Sequence, residues 1–309
     1  MKLSVVATLY RSSDSVEEFV RRSLAAADRL YDDVEIVLVN DGSPDDSLTK
    51  ALALRSADPR IVVVDLSRNF GHHKAIMTGL AHASGDMIFL IDSDLEELPE
   101  YLDEFQERFS QGDCDVVYGV QIARKGGFLE RFTGYAFFWA ANGLGDQRLP
   151  ANSITARLMT REYVDALLQH QHREFTLGHL FIMTGFRQMP VTVTKLSISP
   201  TTYSLGRRLD MAIRYLTTNS TKLLYGILCV GLGVSTLAGL AILYLIVRYV
   251  VAGVHVDGWT SVIISVWFFG GLTTLLLGVL GMYIANILSE TKRGPYTIVR
   301  RVHRGEDGQ

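Results

Sequence analysis

Residues 87–100 read Met-Ile-Phe-Leu-Ile-Asp-Ser-Asp-Leu-Glu-Glu-Leu-Pro-Glu. The run from Met87 to Ile91 is apolar throughout, which is typical of a strand buried on both faces of a sheet. It ends in Asp92, Ser93 and Asp94, and further glutamates follow. Carboxylates this close together repel one another unless a cation lies among them, and divalent cations such as Mg²⁺ prefer oxygen ligands. The stretch therefore predicts a metal site or, alternatively, a helix cap followed by a solvated first turn.

Apolar runs alternate with helical patterns over the first 120 residues. We expect strands at 3–9, 34–39, 61–66, 86–91 and 114–120, and helices near 15–30, from Pro44 onward, at 73–83 and at 98–109. This alternation predicts a mostly parallel sheet covered on both faces. Two more strands are expected at 155–159 and 186–195.

The first four predicted strands all end in polar residues. These endings are Tyr10-Arg11, Asn40-Asp41, Arg68-Asn69 and Asp92-Ser93-Asp94. Because ligands of such sheets bind outside the carboxyl ends of the strands, the endings predict one shared site. For Asp41-Gly42-Ser43 alone, ordinary turn chemistry is the alternative. No glycine-rich dinucleotide motif or P-loop follows the first strand, which argues against an oxidoreductase or an NTPase.

Two long apolar segments, 223–251 and 261–284, occupy the C-terminal part of the chain. Each exceeds the roughly 20 residues needed to cross a bilayer. Their only charged residue is Arg248, and Lys and Arg flank the pair but are absent from residues 252–260. The positive-inside rule then predicts a two-helix membrane hairpin at 222–288 with both of its ends in the cytoplasm. A buried hairpin of a soluble protein is the alternative.

Composition and patterning suggest how the rest of the chain is organised. The net charge of −3 over 309 residues gives no basic field for nucleic acid, and Cys114 and Cys229 are interpreted as free thiols. Residues 1–204 are expected to form a cytoplasmic domain, since the N-terminus lacks a signal peptide. Amphipathic helices at 126–144 and 205–221 are expected at the bilayer surface, with core packing as the alternative. Residues 289–309 are expected to be a basic cytoplasmic tail, loosely ordered from Arg300.

The predicted site suits a particular chemistry. A divalent cation held by carboxylates can neutralise a departing diphosphate, which favours a nucleotide-sugar donor. A cytoplasmic domain at a membrane favours a lipid acceptor. Cations that could hold an acceptor phosphate, although each alone is typical of a protein surface, are Arg124, Lys125, Arg131, Arg157 and Lys195.

Four motifs, in order and spacing, resemble glycosyltransferase family 2. They are Val-Val-Ala-Thr-Leu-Tyr at 5–10, Val-Asn-Asp-Gly-Ser at 39–43, Ser-Arg-Asn-Phe-Gly at 67–71 and Asp-Ser-Asp-Leu-Glu at 92–96. Nearly the whole chain is similar to the polyprenyl-phosphate glycosyltransferases of that family. The resemblance implies an α/β GT-A fold, Mg²⁺ or Mn²⁺, and inverting transfer of a sugar from a UDP- or dTDP-type nucleotide sugar to polyprenyl phosphate.

The resemblance also implies the setting. The enzyme would be an integral protein of the bacterial inner membrane, acting at the cytoplasmic leaflet in the synthesis of cell-surface polysaccharide such as lipopolysaccharide O-antigen. It would form a homo-oligomer such as a tetramer.

The resemblance also implies roles for individual residues, assigned by matching position. Catalytic roles fall to Asp92, Asp94 and Arg157, and metal ligation to Asp92, Asp94 and Glu96. Donor binding falls to Thr8, Leu9, Tyr10, Asp41, Arg68 and Ser93. Binding of the acceptor phosphate falls to Arg124, Arg131, Lys195 and Tyr203.

Three positions depart from the family pattern. Arg11-Ser12-Ser13 stands where an acidic residue is usual, Glu96 replaces a common Gln, and Thr155 replaces an Asp. A polyprenyl phosphate is largely a dianion at neutral pH, because its second pKa is near 6, and it needs no base to remove a proton. Thr155 therefore favours a phosphate acceptor and is expected to alter sugar recognition more than transfer.

Two other functions and one other site stay open. The chain could transfer sugar to a hydroxyl of a lipid-linked saccharide, or be a catalytically impaired nucleotide-sugar-binding subunit of a glycan complex. The histidine-rich segment 170–185 could suggest zinc, but the carboxylate site is already sufficient, so His170, His172, Glu174 and His179 are interpreted as structural or substrate-facing.

Overall fold

The computed structural model describes residues 1–121, 152–170, 175–194, 222–252, 258–291 and 294–305. Its strands are β1 (Lys2–Leu9), β2 (Asp33–Asn40), β3 (Ile61–Leu66), β4 (Met87–Leu90), β5 (Val116–Gln121), β6 (Ser153–Thr160), β7 (Gln188–Val193) and β8 (Val299–His303). Its helices are α1 (Val16–Ala27), α2 (Ser47–Ala57), α3 (His72–His82), α4 (Tyr101–Gln111), α5 (Arg161–Leu168), α6 (Leu177–Met183), α7 (Lys222–Ala252) and α8 (Trp259–Thr291).

The eight described strands form one sheet in the order β7-β5-β6-β4-β1-β2-β3-β8. β1 pairs in parallel with both β2 and β4, and β2 pairs in parallel with β3. The prediction that the first four strands are parallel is therefore confirmed, and their carboxyl ends lie along one edge of the sheet.

The hydrophobic core lies on both faces of this sheet. Side chains alternate along a strand, so Val5 and Ala7 join one buried cluster while Val6 joins the other. The first cluster includes Phe19 of α1 and residues of α4. The second includes Ile76 of α3 and residues of α5 and α6. The continuous apolar runs in the sequence therefore reflect burial on both faces.

Two antiparallel strands complete the part of the sheet that bears on the site. β6 inserts between β4 and β5 and is antiparallel to both, with Leu90 opposite Arg157. Because β6 runs against β4, its first residues lie at the carboxyl edge of the parallel strands. This pairing brings Thr155 and Arg157 to the predicted site.

The expectation of a loosely ordered tail from Arg300 is wrong for the described residues. Residues 299–303 form β8, which pairs antiparallel with β3 at the end of the sheet. Two arginines in the middle of this strand made the segment resemble a solvent-exposed tail in the sequence. An edge position tolerates them, because a strand there can keep side chains exposed while its backbone pairs with its neighbour.

The long helices α7 and α8 comprise 31 and 33 residues and belong to a compact unit of their own. In the described part of the chain one segment, Ser265–Ala285, is long and apolar enough to cross a membrane, and none of it is buried. Large apolar side chains on it are exposed, such as Trp267 at 79%. The second predicted span stays a prediction. The predicted surface helices at 126–144 and 205–221 lie outside the described residues.

Glu35 of β2 joins β1 and the loop before β4 at the opposite, amino-terminal edge of the sheet. Its carboxylate accepts hydrogen bonds from the hydroxyl of Ser4 at 2.5 Å and from the amide and hydroxyl of Ser84 at 2.5 and 2.8 Å. The Lys2 ammonium lies 3.2 Å away. Burial alone would raise the pKa of Glu35, but these donors and Lys2 outweigh it and lower the pKa below the usual glutamate value.

Replacing Glu35 with Gln should lower stability in a pH-dependent way. A folded-state pKa below the unfolded one stabilises the protein above the ordinary pKa of about 4.3, and this contribution is lost as the pH falls. We expect a loss on the order of 2 kcal/mol at pH 7 that shrinks below pH of about 4. Thermal unfolding of the detergent-solubilised protein between pH 3.5 and 7.5 measures it, with the exposed Glu104→Gln as the matched control. A pH-independent difference would contradict the assignment.

Candidate active site

The loops that follow β2 and β3 are joined by a buried carboxylate. Asp41 is 2% exposed, and its two oxygens accept hydrogen bonds from the amides of Phe70 at 2.7 Å and Gly71 at 3.0 Å. Its own amide donates to the carbonyl of Leu9 at 3.0 Å, which ties in the end of β1. Burial raises the pKa of Asp41, and the two amides oppose that rise. Asp41 thus arranges the carboxyl edge, and its role in donor binding stays a prediction.

Gly42 lets the two loops approach each other closely. Its φ is +58°, and a Cβ there would lie 2.5 Å from backbone atoms of Arg68 and Asn69. Both the positive φ and this contact require glycine. The Asp41-Gly42 pair is therefore more than a turn signal, because it sets the spacing between two loops of the site.

A second network joins the loops after β1 and β2. The carboxylate of Asp45 accepts hydrogen bonds from the hydroxyls of Ser43 and Ser47 at 2.5 and 2.6 Å and from the amide of Ser13 at 3.0 Å. Burial opposes ionisation of Asp45, but these donors together hold its pKa well below the usual range. The predicted helix start at Pro44 is wrong, since α2 begins at Ser47 and Asp45 organises the turn before it.

Ser93, in the loop that follows β4, is buried. It is 4% exposed, and its hydroxyl donates to the carbonyl of Thr8 at 2.8 Å. This bond joins the loop after β4 to β1, and the contact of Ser93 with the donor stays a prediction. Leu9 is likewise fully buried, with its side chain in the core cluster.

His72 lies between two of the predicted site residues. Its Nδ1 is 3.1 Å from the hydroxyl of Thr8, and its Nε2 is 3.4 Å from a carboxylate oxygen of Asp92. Sequence reasoning missed His72. The available signal was its position directly after Ser67–Gly71, where α3 begins at the carboxyl edge.

The predicted metal ligands do not converge as a set of three. Among the described residues, no group of three or more His, Cys, Asp or Glu side chains is arranged to hold a metal ion. Asp94 accepts a hydrogen bond from the amide of Glu96 at 2.9 Å across Leu95, whose φ is +61°. The metal role of Glu96 stays a prediction. The chemistry of Asp92 and Asp94 still fits Mg²⁺ or Mn²⁺, which commonly bind one or two carboxylates together with substrate phosphates.

A cavity of about 400 Å³ opens beside the start of β6. Polar side chains from several elements line it, namely His72, His73, Glu97, Gln121, Asn152, Ser153, Thr155 and Arg157. Its size is within the range of small-ligand pockets. Loss of solvation, more than the neighbouring His72, lowers the pKa of His73 below the usual histidine value.

Arg157 is a buried cation at this cavity. It is 4% exposed, its guanidinium lies 3.3 Å from the centre of the Phe181 ring, and it donates to the carbonyls of Ile154 and Thr155 at 3.2 Å. Burial lowers the pKa of Arg157 to about 10, so it remains charged at neutral pH. The structure therefore places Arg157 at the cavity, and its catalytic role stays a prediction.

Glu97 supplies the nearby negative charge and was missed from the sequence. It is fully buried, and its carboxylate accepts hydrogen bonds from the amides of Thr155 at 3.2 Å and Ala156 at 2.8 Å. Its charge also favours the charged form of Arg157. Among the crowded acids of residues 92–100, no sequence signal separated this residue from its neighbours.

The remaining predicted site residues are either exposed or lie outside the described residues. Tyr10 is 46% exposed, and Arg68 lies over the ring of Phe70 at 4.3 Å. Both side chains are exposed at the carboxyl edge, and their contacts with the donor stay predictions. The predicted acceptor-phosphate residues Arg124, Arg131, Lys195 and Tyr203 lie outside the described residues.

A family model described as glycosyl transferase family 2 matches residues 4–208, more than half of the chain. The chain belongs to glycosyl transferase family 2. The match spans β1 to β7, and with them every element described at the carboxyl edge. The family 2 resemblance of the four motifs is thereby confirmed, and the mostly parallel sheet is GT-A-like.

Several relatives of this glycosyltransferase match over nearly their full length. A Mycobacterium tuberculosis protein, named only as a glycosyltransferase, is 45% identical over 98% of this chain and 89% of its own. The prophage bactoprenol glucosyl transferase homolog of Escherichia coli K12 is 31% identical over 98% and 100%. The SfII prophage-derived bactoprenol glucosyl transferase of Shigella flexneri is 31% identical over 99% of both chains.

A solved structure also resembles this glycosyltransferase. Glucosyl-3-phosphoglycerate synthase from Mycobacterium tuberculosis, crystallised with Mn²⁺, UDP and phosphoglyceric acid, is 19% identical with a TM-score of 0.47. The match covers 70% of this chain and 78% of that chain.

Replacing Glu97 with Ala should destabilise the glycosyltransferase and impair transfer. The change leaves two buried amides without their acceptor and removes the charge beside Arg157, so we expect a loss of roughly 3 kcal/mol. Thermal unfolding and initial rates measure the two effects. Glu104→Ala on the exposed face of α4 is the control, and equal behaviour of the two variants would refute the role of Glu97.

Replacing Gly42 with Ala should weaken nucleotide binding. The methyl group would displace the loop after β3 or force its own loop out of a positive φ, with a cost of about 1–3 kcal/mol. Calorimetric titration with UDP should show at least a fivefold higher dissociation constant. Gly112→Ala, where the nearest atom to an added Cβ is 3.9 Å away, provides the control.

Proposed function

We propose that this family 2 enzyme is an integral membrane protein that transfers one sugar from a UDP- or dTDP-type donor to polyprenyl phosphate at the cytoplasmic leaflet. One observation carries the proposal: a family 2 site at the carboxyl edge and a long, exposed, apolar helix occur in one chain. The full-length relatives named bactoprenol glucosyl transferases support the same pairing of sugar transfer with a polyprenyl lipid.

The loops after β1, β2 and β3 would bind the nucleotide. Asp41 holds the β3–α3 loop in place. The exposed side chains of Tyr10 and Arg68 therefore extend from backbone that is fixed in position. The cavity at the start of β6 would receive the sugar. Its lining offers amide, hydroxyl and imidazole groups suited to sugar hydroxyls.

Asp92 and Asp94 would hold a divalent cation. When bound, this cation would neutralise the negative charge that develops on the departing diphosphate. The acceptor phosphate oxygen forms a bond to the anomeric carbon as the bond from that carbon to the diphosphate breaks. A single displacement of this kind inverts the configuration. The dianionic acceptor carries no proton to remove, so Thr155 can stand where the family pattern has Asp.

The remaining assignments of the proposal concern the acceptor and the membrane. Arg124, Arg131, Lys195 and Tyr203 would bind the acceptor phosphate near the bilayer. Helices α7 and α8 would form the two-span anchor, with both termini cytoplasmic as the flanking basic residues favour. A homo-oligomer such as a tetramer and a role in surface polysaccharide synthesis belong to the same proposal.

A reconstituted transfer assay tests the proposal. The purified chain in detergent should form a glycolipid from undecaprenyl phosphate and one member of a panel of UDP- and dTDP-sugars. Transfer only to a lipid-linked saccharide would favour the hydroxyl acceptor. Nucleotide-sugar binding without product from any acceptor would favour the impaired binding subunit.

Removal of the metal or of its ligand should stop transfer. We expect EDTA to abolish product and Mg²⁺ or Mn²⁺ to restore it, and Asp94→Asn to lower kcat by about 100-fold or more. Asp32→Asn, at an exposed position before β2, is the matched control. Full activity of Asp94→Asn, or turnover in EDTA, would overturn the metal assignment.

A further inference from the structure

Residues 296–304, here called the C-terminal strap, run along the loop that follows β3. The amide of Ser67 donates to the carbonyl of Ile298 at 2.9 Å, and the guanidinium of Arg300 donates to the carbonyl of Ser67 at 3.0 Å. The first residue of the loop therefore has both of its backbone polar groups engaged by the strap.

Arg300 also reaches the β2–α2 loop through a buried acid. Its guanidinium lies 3.7 Å from the carboxylate of Asp65, which is 7% exposed. The other oxygen of Asp65 accepts a hydrogen bond from the side-chain amide of Asn40 at 2.8 Å, and the carbonyl oxygen of that amide accepts one from the backbone of Ser43 at 3.2 Å. One chain of contacts thus connects the strap to two of the loops at the carboxyl edge.

The strap is anchored at further points along α3. The hydroxyls of Thr297 and Thr78 are 2.7 Å apart, and Arg304 donates to the carbonyl of His82 at 2.5 Å. The ring of Tyr296 packs edge-on against Phe175, with centroids 6.4 Å apart. These anchors at the start and end of the strap keep Arg300 in register with Ser67.

The β3–α3 loop is consequently held from two sides. Asp41 binds the amides of Phe70 and Gly71 at its far end, and the strap binds Ser67 at its near end. Arg68 and Asn69 lie exposed between these attachments. A loop ordered before its ligand arrives loses less conformational entropy on binding, which raises affinity without any added contact.

We propose that the C-terminal strap orders the β3–α3 loop for the nucleotide part of the donor, with Arg300 as a positioning residue that touches no substrate. The proposal rests on the proposed function, which places the nucleotide at this loop. It assigns a binding role to a segment that the sequence presents as a basic tail after the last apolar helix.

The test compares two adjacent arginines in the full-length protein in detergent. Arg300→Ala removes the contacts with Ser67 and Asp65. Arg301→Ala removes the same charge from the adjacent residue of the strand, for which neither of these side-chain contacts is found, and serves as the matched control. We expect Arg300→Ala to raise the dissociation constant for UDP, or for dTDP if that is the nucleotide bound, by about five- to tenfold, and the control to change it less than twofold.

Two further readouts separate positioning from general damage. The donor KM should rise in Arg300→Ala while kcat at saturating donor and the KM for undecaprenyl phosphate stay within twofold. Hydrogen exchange at the amides of Phe70 and Gly71 should be faster in Arg300→Ala than in Arg301→Ala. In an Asp65→Asn background the Arg300→Ala change should weaken UDP binding less than in the wild type, because the two residues act in one chain of contacts.

The outcomes distinguish a failure of the strap proposal from a failure of the proposed function on which it rests. Unchanged UDP affinity in Arg300→Ala overturns the positioning role, whether or not exchange at the loop changes. Equal weakening by both arginine variants also overturns it, because a general effect of charge then explains the result. A wild-type protein that binds neither UDP nor dTDP overturns the donor assignment itself, while exchange at Phe70 and Gly71 still reports whether the strap orders the loop.

Discussion

The parallel pairing of β1 with both β2 and β4 is the constraint on which the rest of the structure depends. It aligns the ends of four strands at one edge, so that residues far apart in sequence become neighbours. The pairing is stabilised by apolar side chains on both faces and therefore requires helices on each side. The polar residues that follow each of these strands therefore lie together at this edge.

Buried charges then set the spacing of the edge. Asp41 accepts hydrogen bonds from two backbone amides of the loop after β3, and Glu97 accepts them from two backbone amides of β6. A carboxylate is well suited to this task, because it offers two acceptors and bonds strongly to amides that would otherwise be left unpaired. Each acid holds a loop or strand start in place.

The two antiparallel strands extend the site beyond the simple alternating pattern. β6 runs against β4 and carries Thr155 and Arg157 to the cavity, and β8 closes the other end of the sheet beside the loop after β3. Both come from parts of the chain that follow the regular strand–helix repeats. In this family 2 glycosyltransferase, late segments of the sequence therefore complete a site that the first four strands begin.

Much of this arrangement could be predicted from the sequence, because it follows from local patterns. Apolar runs and polar strand ends predicted β1 to β4 and their shared edge, and the order of four motifs indicated family 2. The long apolar segments predicted helices, since hydrophobic length alone indicates them. What only the tertiary structure decided were contacts between residues distant in sequence: His72 beside Asp92, Glu97 on the backbone of β6, and Arg300 on Ser67. Their side chains look like ordinary surface charges in the sequence, and only the folded chain shows which of them lose solvent and gain a partner.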